Sequence, residues 1–181
     1  YAARVWRGLG TTLGMWAVGA LALRAVVIPP ERCPPVDANL AMASTRAAAA
    51  WTERAQRPDG SYLYEFNRDT GEESLAYNVV RHAGVTMSLY QLAAAGEASA
   101  FAAAERGLAW MLQHQYRYGD WSALEDPSDG SVDVGASALM LAGLAQRRIA
   151  TGDGQHDAMM RSLARYLVAM QQEDGSFLNS W

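Results

Sequence analysis

Three segments of this 181-residue chain fall into one register. The first reads Trp51, Gln56, Gly60, Tyr62; the second Trp110, Gln115, Gly119, Trp121; the third Tyr166, Gln171, Gly175, Phe177. In each, an aromatic residue is followed five positions later by Gln, four later by Gly and two later by another aromatic, and the copies are 59 and then 56 residues apart. Self-similarity at a fixed period marks a repeat architecture in which each unit is one supersecondary element. Each copy is expected to end a helix, with the first aromatic on the buried face. Gly then follows just beyond the end, where left-handed backbone is easiest for a residue without Cβ. The Gln amide both donates and accepts, so it is expected to tie the loop to backbone groups left open at a neighbouring helix end, with the closing aromatic packing back. Three ordinary helix caps would account for the glycines but not for the fixed Gln and aromatic offsets.

Between the copies lie helices of two characters. Residues 75–95 and 135–150 are almost without charge over long stretches and are expected to be buried on most sides. Residues 37–56, 98–115 and 155–172 carry Glu and Arg on one face and Ala, Leu, Met, Trp and Tyr on the other, as outer helices would. The order outer, inner, outer, inner, outer, with turns at Gly96-Glu97 and Gly152-Asp153-Gly154, predicts stacked αα-hairpins curving toward a ring or solenoid. Abundant Ala with 9% aromatic residues favours packed helices over β-sandwich strands, so the expected class is all-α. Met87, Met111, Met140, Met159, Met160 and Met170 sit at helical spacings and read as core filler.

Residues 8–28 form a stretch of the length needed to cross a bilayer, with Arg24 its one charge, about a turn from the end. Trp6 and Trp16 are of the type enriched at membrane boundaries, and Pro29-Pro30 would stop the helix. A cleaved signal peptide would show a shorter apolar core and a small-residue cleavage site. The expected organisation is a transmembrane anchor over 1–30, a Pro-rich linker over 31–36 and a repeat domain over 37–181. Arg4 and Arg7 favour an inside N-terminus, diluted by Arg24 and Arg32. The protein is thus expected to be single-pass, with membrane lipid as one partner and a periplasmic or extracellular soluble domain. The chain opens on Tyr rather than Met and stops on Trp181 after a motif that elsewhere leads into another helix, so both ends are expected to be cut.

A net charge of -4 without a basic block makes nucleic acid an unexpected partner. The single cysteine, Cys33, excludes an intramolecular disulfide framework and a Cys-only metal cage. Pro30-Glu31-Arg32 before it does not fit a lipoprotein signal. No His-x-x-x-His pair, P-loop, Gly-x-Gly-x-x-Gly or Gly-x-Ser-x-Gly elbow occurs, and no cofactor or metal is implied.

The run from Arg106 through Gly107-Leu108-Ala109-Trp110-Met111-Leu112 to Gln115, with Gly119-Asp120-Trp121, resembles the QW repeat of squalene-hopene and other triterpene cyclases. These belong to the wider α/α toroids of terpenoid cyclases and protein prenyltransferases. The resemblance covers roughly residues 37–181 and implies a partial α/α toroid. It is specific for fold and weak for chemistry. The chain lacks the Asp-x-Asp-Asp motif that protonates squalene and a zinc-ligand set like that of the prenyltransferases. About half of the five or six hairpins a closed toroid needs are expected here, the third copy ending an outer helix with no inner helix after it.

Polar groups on the loop from an outer to an inner helix are the first candidates for chemistry, and residues 59–84 supply Glu65, Asp69, Glu72, Glu73, Tyr77, Asn78, Arg81 and His82. With an inner helix starting near Ser74, Tyr77-Arg81 and Asn78-His82 would lie on adjacent strips of one face. Read functionally, His82 is a general acid or base oriented by Glu72 or Glu73, with Tyr77 beside it, and Arg81 and Asn78 hold an anionic group of the substrate. Read structurally, Arg81 and Glu73 form a buried ion pair and His82 is a satisfied core residue. In the second loop Asp120, Glu125, Asp126, Asp129 and Asp133 could suggest Ca²⁺, but their spacing does not match an EF-hand. Asp133 is expected to cap the next inner helix, with contact to substrate as its alternative role. His114 and His156 lie at the ends of outer helices.

Two functions follow as expectations. One is a non-catalytic accessory subunit packing on other subunits of a larger membrane complex, since so apolar an inner helix in a partial ring must be covered. The other is a terpenoid-cyclase-like or carbohydrate-active enzyme whose cavity at the inner-helix N-termini takes a lipid-like or carbohydrate substrate.

Overall fold

A computed structural model describes residues 2–26 and 35–181. Among the described residues it contains six α-helices and one two-stranded hairpin. The chain divides into a unit Tyr1–Ala41 and a unit Met42–Trp181.

The first unit is dominated by α1 (Ala2–Val26), on which Leu13, Met15, Trp16, Val18, Leu21 and Val26 are all well exposed. No helix among the described residues is long and apolar enough to cross a membrane. Gly10, Thr11, Thr12 and Gly14 dilute the apolar content of α1. Residues 27–34 lie outside the described residues, and with them fall Ile28, the Pro29-Pro30 stop, Cys33 and most of the expected linker.

The second unit follows the expected helical order closely. It comprises α2 (Ala38–Ala55, entering from the first unit), α3 (Val79–Ala94), α4 (Ser99–Gln113), β1 (Gln115–Tyr118), β2 (Trp121–Leu124), α5 (Val134–Thr151) and α6 (Asp157–Met170). The protein is thus mostly helical. The inner-type helices α3 and α5 pack on each other, α4 lies against α3, and α6 lies against α5 and β2. Small residues allow the α3–α5 approach: a Cβ on Gly143 would stand 3.4 Å from the Met87 Cα. The main core joins Val79, Ala83, Leu89 and Tyr90 of α3 to Ala103, Leu108 and Met111 of α4, Met140 and Leu144 of α5, and Leu163 of α6. Met111, Met140 and Met170 are buried, and Met159 and Met160 pack against the core.

The repeat loops are tighter than helix caps. In the first copy Gln56 bridges to Tyr62, and in the third Gln171 bridges to Phe177. Both use the same turn: Arg57 N–H donates to Ser61 O and Gly60 N–H to Arg57 O, as Gln172 and Gly175 donate to Ser176 and Gln172. The second copy opens into the antiparallel pair β1–β2, closed by Tyr118 opposite Trp121. This hairpin replaces the simple helix end expected at Gln115.

The first two loops dock on the next copy rather than packing back on their own helices. Gly60 lies on α4, where a Cβ would fall 2.2 Å from the Arg106 carbonyl oxygen, and Trp121 packs on Tyr166 with ring centroids 4.9 Å apart. Trp110 and Tyr166 are therefore buried, whereas Trp51 is 55% exposed and Phe177 52% exposed. The expectation of a buried Trp51 is corrected on this ground. Every joint pairs a closing loop with the following helix, so the first opening aromatic and the last closing aromatic have no counterpart within the described unit. α2 has no buried residue and is held by the Arg46–Glu97 ion pair and by Gln56, which donates to Ala103 O at 3.0 Å and accepts from Arg106 Nε. The Gln tie is thus made to the middle of α4, not to a helix end. Between α2 and α3 remains an open groove of about 510 Å³, walled by Ala48, Ala49, Val85, Met87 and Leu92 among others.

Candidate binding pocket

The loop from α2 to α3 carries a second hairpin that sets where α3 begins. Asn67 N–H donates to Glu72 O and Gly71 N–H to Asn67 O, and Phe66 bridges to Glu73. Asn78 then adopts extended backbone, φ -142° and ψ 110°, and its side-chain oxygen accepts the Arg81 N–H at 2.8 Å. That is the N-cap arrangement in which a short polar side chain takes up one of the orphan donors of the first turn. The helix therefore begins at Val79 rather than near Ser74, and Tyr77 and Asn78 precede it instead of sharing a helical strip with Arg81 and His82.

These four residues nevertheless meet. Tyr77, Asn78, Arg81 and His82 line a cavity of about 120 Å³ with Tyr62, Leu63, Tyr64 and Val85. No acidic residue lines it.

The wall is a satisfied hydrogen-bond chain. The Tyr62 N–H donates to the Tyr77 hydroxyl at 2.9 Å, and that hydroxyl lies 2.7 Å from His82 Nδ1. His82 Nε2 lies 2.9 Å from the Gly107 carbonyl, which can only accept. Nε2 therefore carries the proton, and Nδ1 accepts from Tyr77. His82 is 2% exposed. Burial, outweighing the Gly107 hydrogen bond, lowers its pKa to about 4. Trp110 stacks on it with centroids 4.3 Å apart. Burial likewise raises the Tyr62 and Tyr77 phenols to about 12. Gly107 makes the arrangement possible: a Cβ there would fall 2.4 Å from both Thr86 Oγ1 and the Tyr62 hydroxyl, which bond each other at 3.1 Å.

The expected carboxylate partners are elsewhere. Glu73 pairs with Arg57, Nη2 to Oε2 at 2.7 Å, because the hairpin places it beside the preceding turn. Glu72 accepts from Thr70 Oγ1. Neither orients His82, and no Arg81–Glu73 pair forms. Arg81 instead lies over the Tyr64 ring, 5.0 Å from its centroid, without an ion partner among the described residues.

Asp133 holds the N-cap position of α5, with φ -86° and ψ 131°, but its side chain makes no cap hydrogen bond. Its backbone bridges to Ser180 instead, and it does not line the pocket. Three of the second loop's other carboxylates are engaged elsewhere. Asp126 and Asp129 accept from Ser128 and Ser131, and Asp120 pairs with Arg165. Among the described residues no group of three or more His, Cys, Asp or Glu is placed to hold a metal ion.

Sequence reasoning missed Tyr62 and Tyr64 as pocket residues and Trp110 as the ring stacked on His82. The alternation of Tyr62 and Tyr64 carried a signal, since period two places both side chains on one side of an extended segment. It also missed the network around Arg147, which is 7% exposed in an apparently apolar helix and pairs with Glu105 at 2.8 Å, with Tyr90 bonded to the same carboxylate. No family model, curated protein or solved structure matches the chain.

Proposed function

We propose that the chain is a membrane-tethered, non-catalytic accessory module whose hairpins pack on another subunit of a larger complex. The observation that carries this reading is the open groove between α2 and α3. In the chain's own repeat the corresponding groove, between α4 and α5, is filled by α3. The occupant is therefore a partner's helix of small and apolar residues, because Ala48, Ala49 and Gly84 allow close approach and Val85, Met87 and Leu92 supply the apolar contact. The resemblance to QW-repeat toroids supports the same geometry, since successive hairpins there nest in this way. The exposed apolar side chains of α1 support its association with lipid or with a partner's membrane segment.

A photo-reactive residue placed at Ser88, exposed in the groove, tests the proposal in the native membrane, with one at the exposed loop residue Ser128 as control. The expected result is one discrete adduct from Ser88, mapped to an apolar helical segment of a single protein and lost when Ala48→Arg charges the groove. No adduct beyond that from Ser128, or adducts to lipid alone, would overturn it.

A second reading, a terpenoid-cyclase-like or carbohydrate-active enzyme, is supported by the 120 Å³ pocket with its Tyr77–His82 pair. In it His82 and Tyr77 would move a proton while Arg81 and Asn78 hold substrate. Both His82 nitrogens are already engaged, which weighs against the histidine as a free base. Separate His82→Gln and Arg81→Gln chains that fold but lose turnover on such a substrate would favour this reading over the accessory one.

A further inference from the structure

We infer that the pocket at the start of α3 binds a small organic anion, a carboxylate or phosphate carried on an apolar or aromatic body, with Arg81 as its charged anchor. The pocket shares Arg81 and Val85 with the groove between α2 and α3, but the inference needs neither an occupant of that groove nor any catalysis.

Four observations converge on it. The cavity is lined by one cation and no acid, so its charge is uncompensated from within. Arg46, Arg57, Arg147, Arg148 and Arg165 of the unit are held by Glu97, Glu73, Glu105, Asp157 and Asp120; of the arginines without an ion partner among the described residues, Arg81 is the one that lines this cavity. Arg81 lies instead over the face of Tyr64, an arrangement that orients the guanidinium while leaving its N–H donors without acceptors among the described residues. A planar fork of donors matches a carboxylate or phosphate two bonds at a time. Finally, the Asn78 side chain spends its oxygen on the Arg81 N–H, which leaves the amide NH₂ as a donor on a residue that lines the same cavity.

The remaining walls define the body of the ligand. Tyr62, Tyr64, Tyr77, Leu63 and Val85 offer ring faces and aliphatic surface. The Tyr77 and His82 polar atoms are already bonded to each other and to backbone, so they present a largely completed surface rather than open donors. A volume of about 120 Å³ admits a single small ring or a short chain, not a polymer. The positive end of α3, a helix of 16 residues, adds to the attraction for the anionic group.

Titration calorimetry on the intact chain in neutral detergent tests the inference, with benzoate and phenyl phosphate as probes and benzyl alcohol as the uncharged control. At least one anion is expected to bind more tightly than benzyl alcohol and to weaken as salt rises. Arg81→Gln is expected to lose at least tenfold for that anion while its thermal midpoint stays put, because Arg81 has no ion partner to lose. Arg81→Lys, which keeps charge but not the fork, is expected to fall between. Loss of the preferred anion with Tyr64→Leu would support the aromatic orientation of the guanidinium. Failure of both anions to bind at millimolar concentration, equal binding of benzyl alcohol, or unchanged affinity in Arg81→Gln would each overturn the inference. The relative strength of benzoate and phenyl phosphate identifies which anion the site prefers.

Discussion

His82 shows how burial and hydrogen bonding decide the behaviour of one residue. Its ring is neutral with Nε2 protonated, and the folded chain resists charging it. The folded pKa of about 4 lies below the ordinary value of 6.5, so between these values the unfolded chain binds more protons. Stability is therefore expected to fall as pH drops from about 6.5 to 4, by roughly 3 kcal/mol for a shift of this size. Urea unfolding across that range checks it, and a His82→Gln chain should lose most of the slope. Gly107 is the companion case. Alanine would gain up to about 1 kcal/mol of helix propensity there. Its Cβ, however, would fall 2.4 Å from Thr86 Oγ1 and from the Tyr62 hydroxyl, and overpacking costs about 1–3 kcal/mol. Gly107→Ala is expected to destabilise despite the better propensity, with the Tyr62–Thr86 bond broken; denaturant midpoints decide the sign.

At the level of the element, the repeat loops share a sequence but not an energetic weight. Gly60 and Gly175 both have positive φ, +92° and +84°. Only Gly60 faces another helix, with Arg106 O 2.2 Å from a built Cβ, whereas nothing lies within 4 Å at Gly175. Gly175→Ala is expected to cost about 1–2 kcal/mol, the left-handed penalty alone. Gly60→Ala should cost clearly more, because α4 has to move. Chemical denaturation of the two chains side by side tests the ordering. The same contrast holds for glutamine. Gln56 bonds Gly60 O, Ala103 O and Arg106, while the corresponding Gln171 side chain makes no such tie among the described residues. The offsets in the sequence identify the loops but not which of them carries load, since that depends on what lies opposite.

Across the whole unit, the buried charge among the described residues sits where α3, α4 and α5 meet. Arg147 is nearly buried and is held by Glu105, with Asp153 and Gln155 at longer range. Burial pushes the Glu105 carboxyl up, but hydrogen bonds from Arg147 and Tyr90 outweigh it and leave it below its usual value. A carboxylate of this kind adds stability above its unfolded pKa of 4.5 that is lost as pH falls through the folded value. Glu105→Ala strands the guanidinium and the Tyr90 hydroxyl, and is expected to cost about 2–3 kcal/mol at neutral pH. A urea titration at pH 7 measures it. At this scale too, the exposed Trp51 and Phe177 mark the two faces of the unit that correspond to the internal joints between copies.

The helical class, the five helices after the N-terminal segment and their boundaries to within a few residues were legible in the sequence, because period and charge asymmetry are local properties of the chain. So was the cluster Tyr77, Asn78, Arg81 and His82, although for a partly mistaken reason: the N-cap at Asn78 and the hairpin before it, not one helical face, bring these side chains together. The partners were not legible. Glu73 turning to Arg57, Arg81 lying on Tyr64, Gly107 receiving His82 and Arg147 finding Glu105 all join residues far apart in the chain or on separate turns, and such pairings exist only once the helices have packed. The sequence by itself therefore determined the repeat and its register. Tertiary structure alone decided which polar groups satisfy one another and which, such as the Arg81 guanidinium, are left facing a cavity.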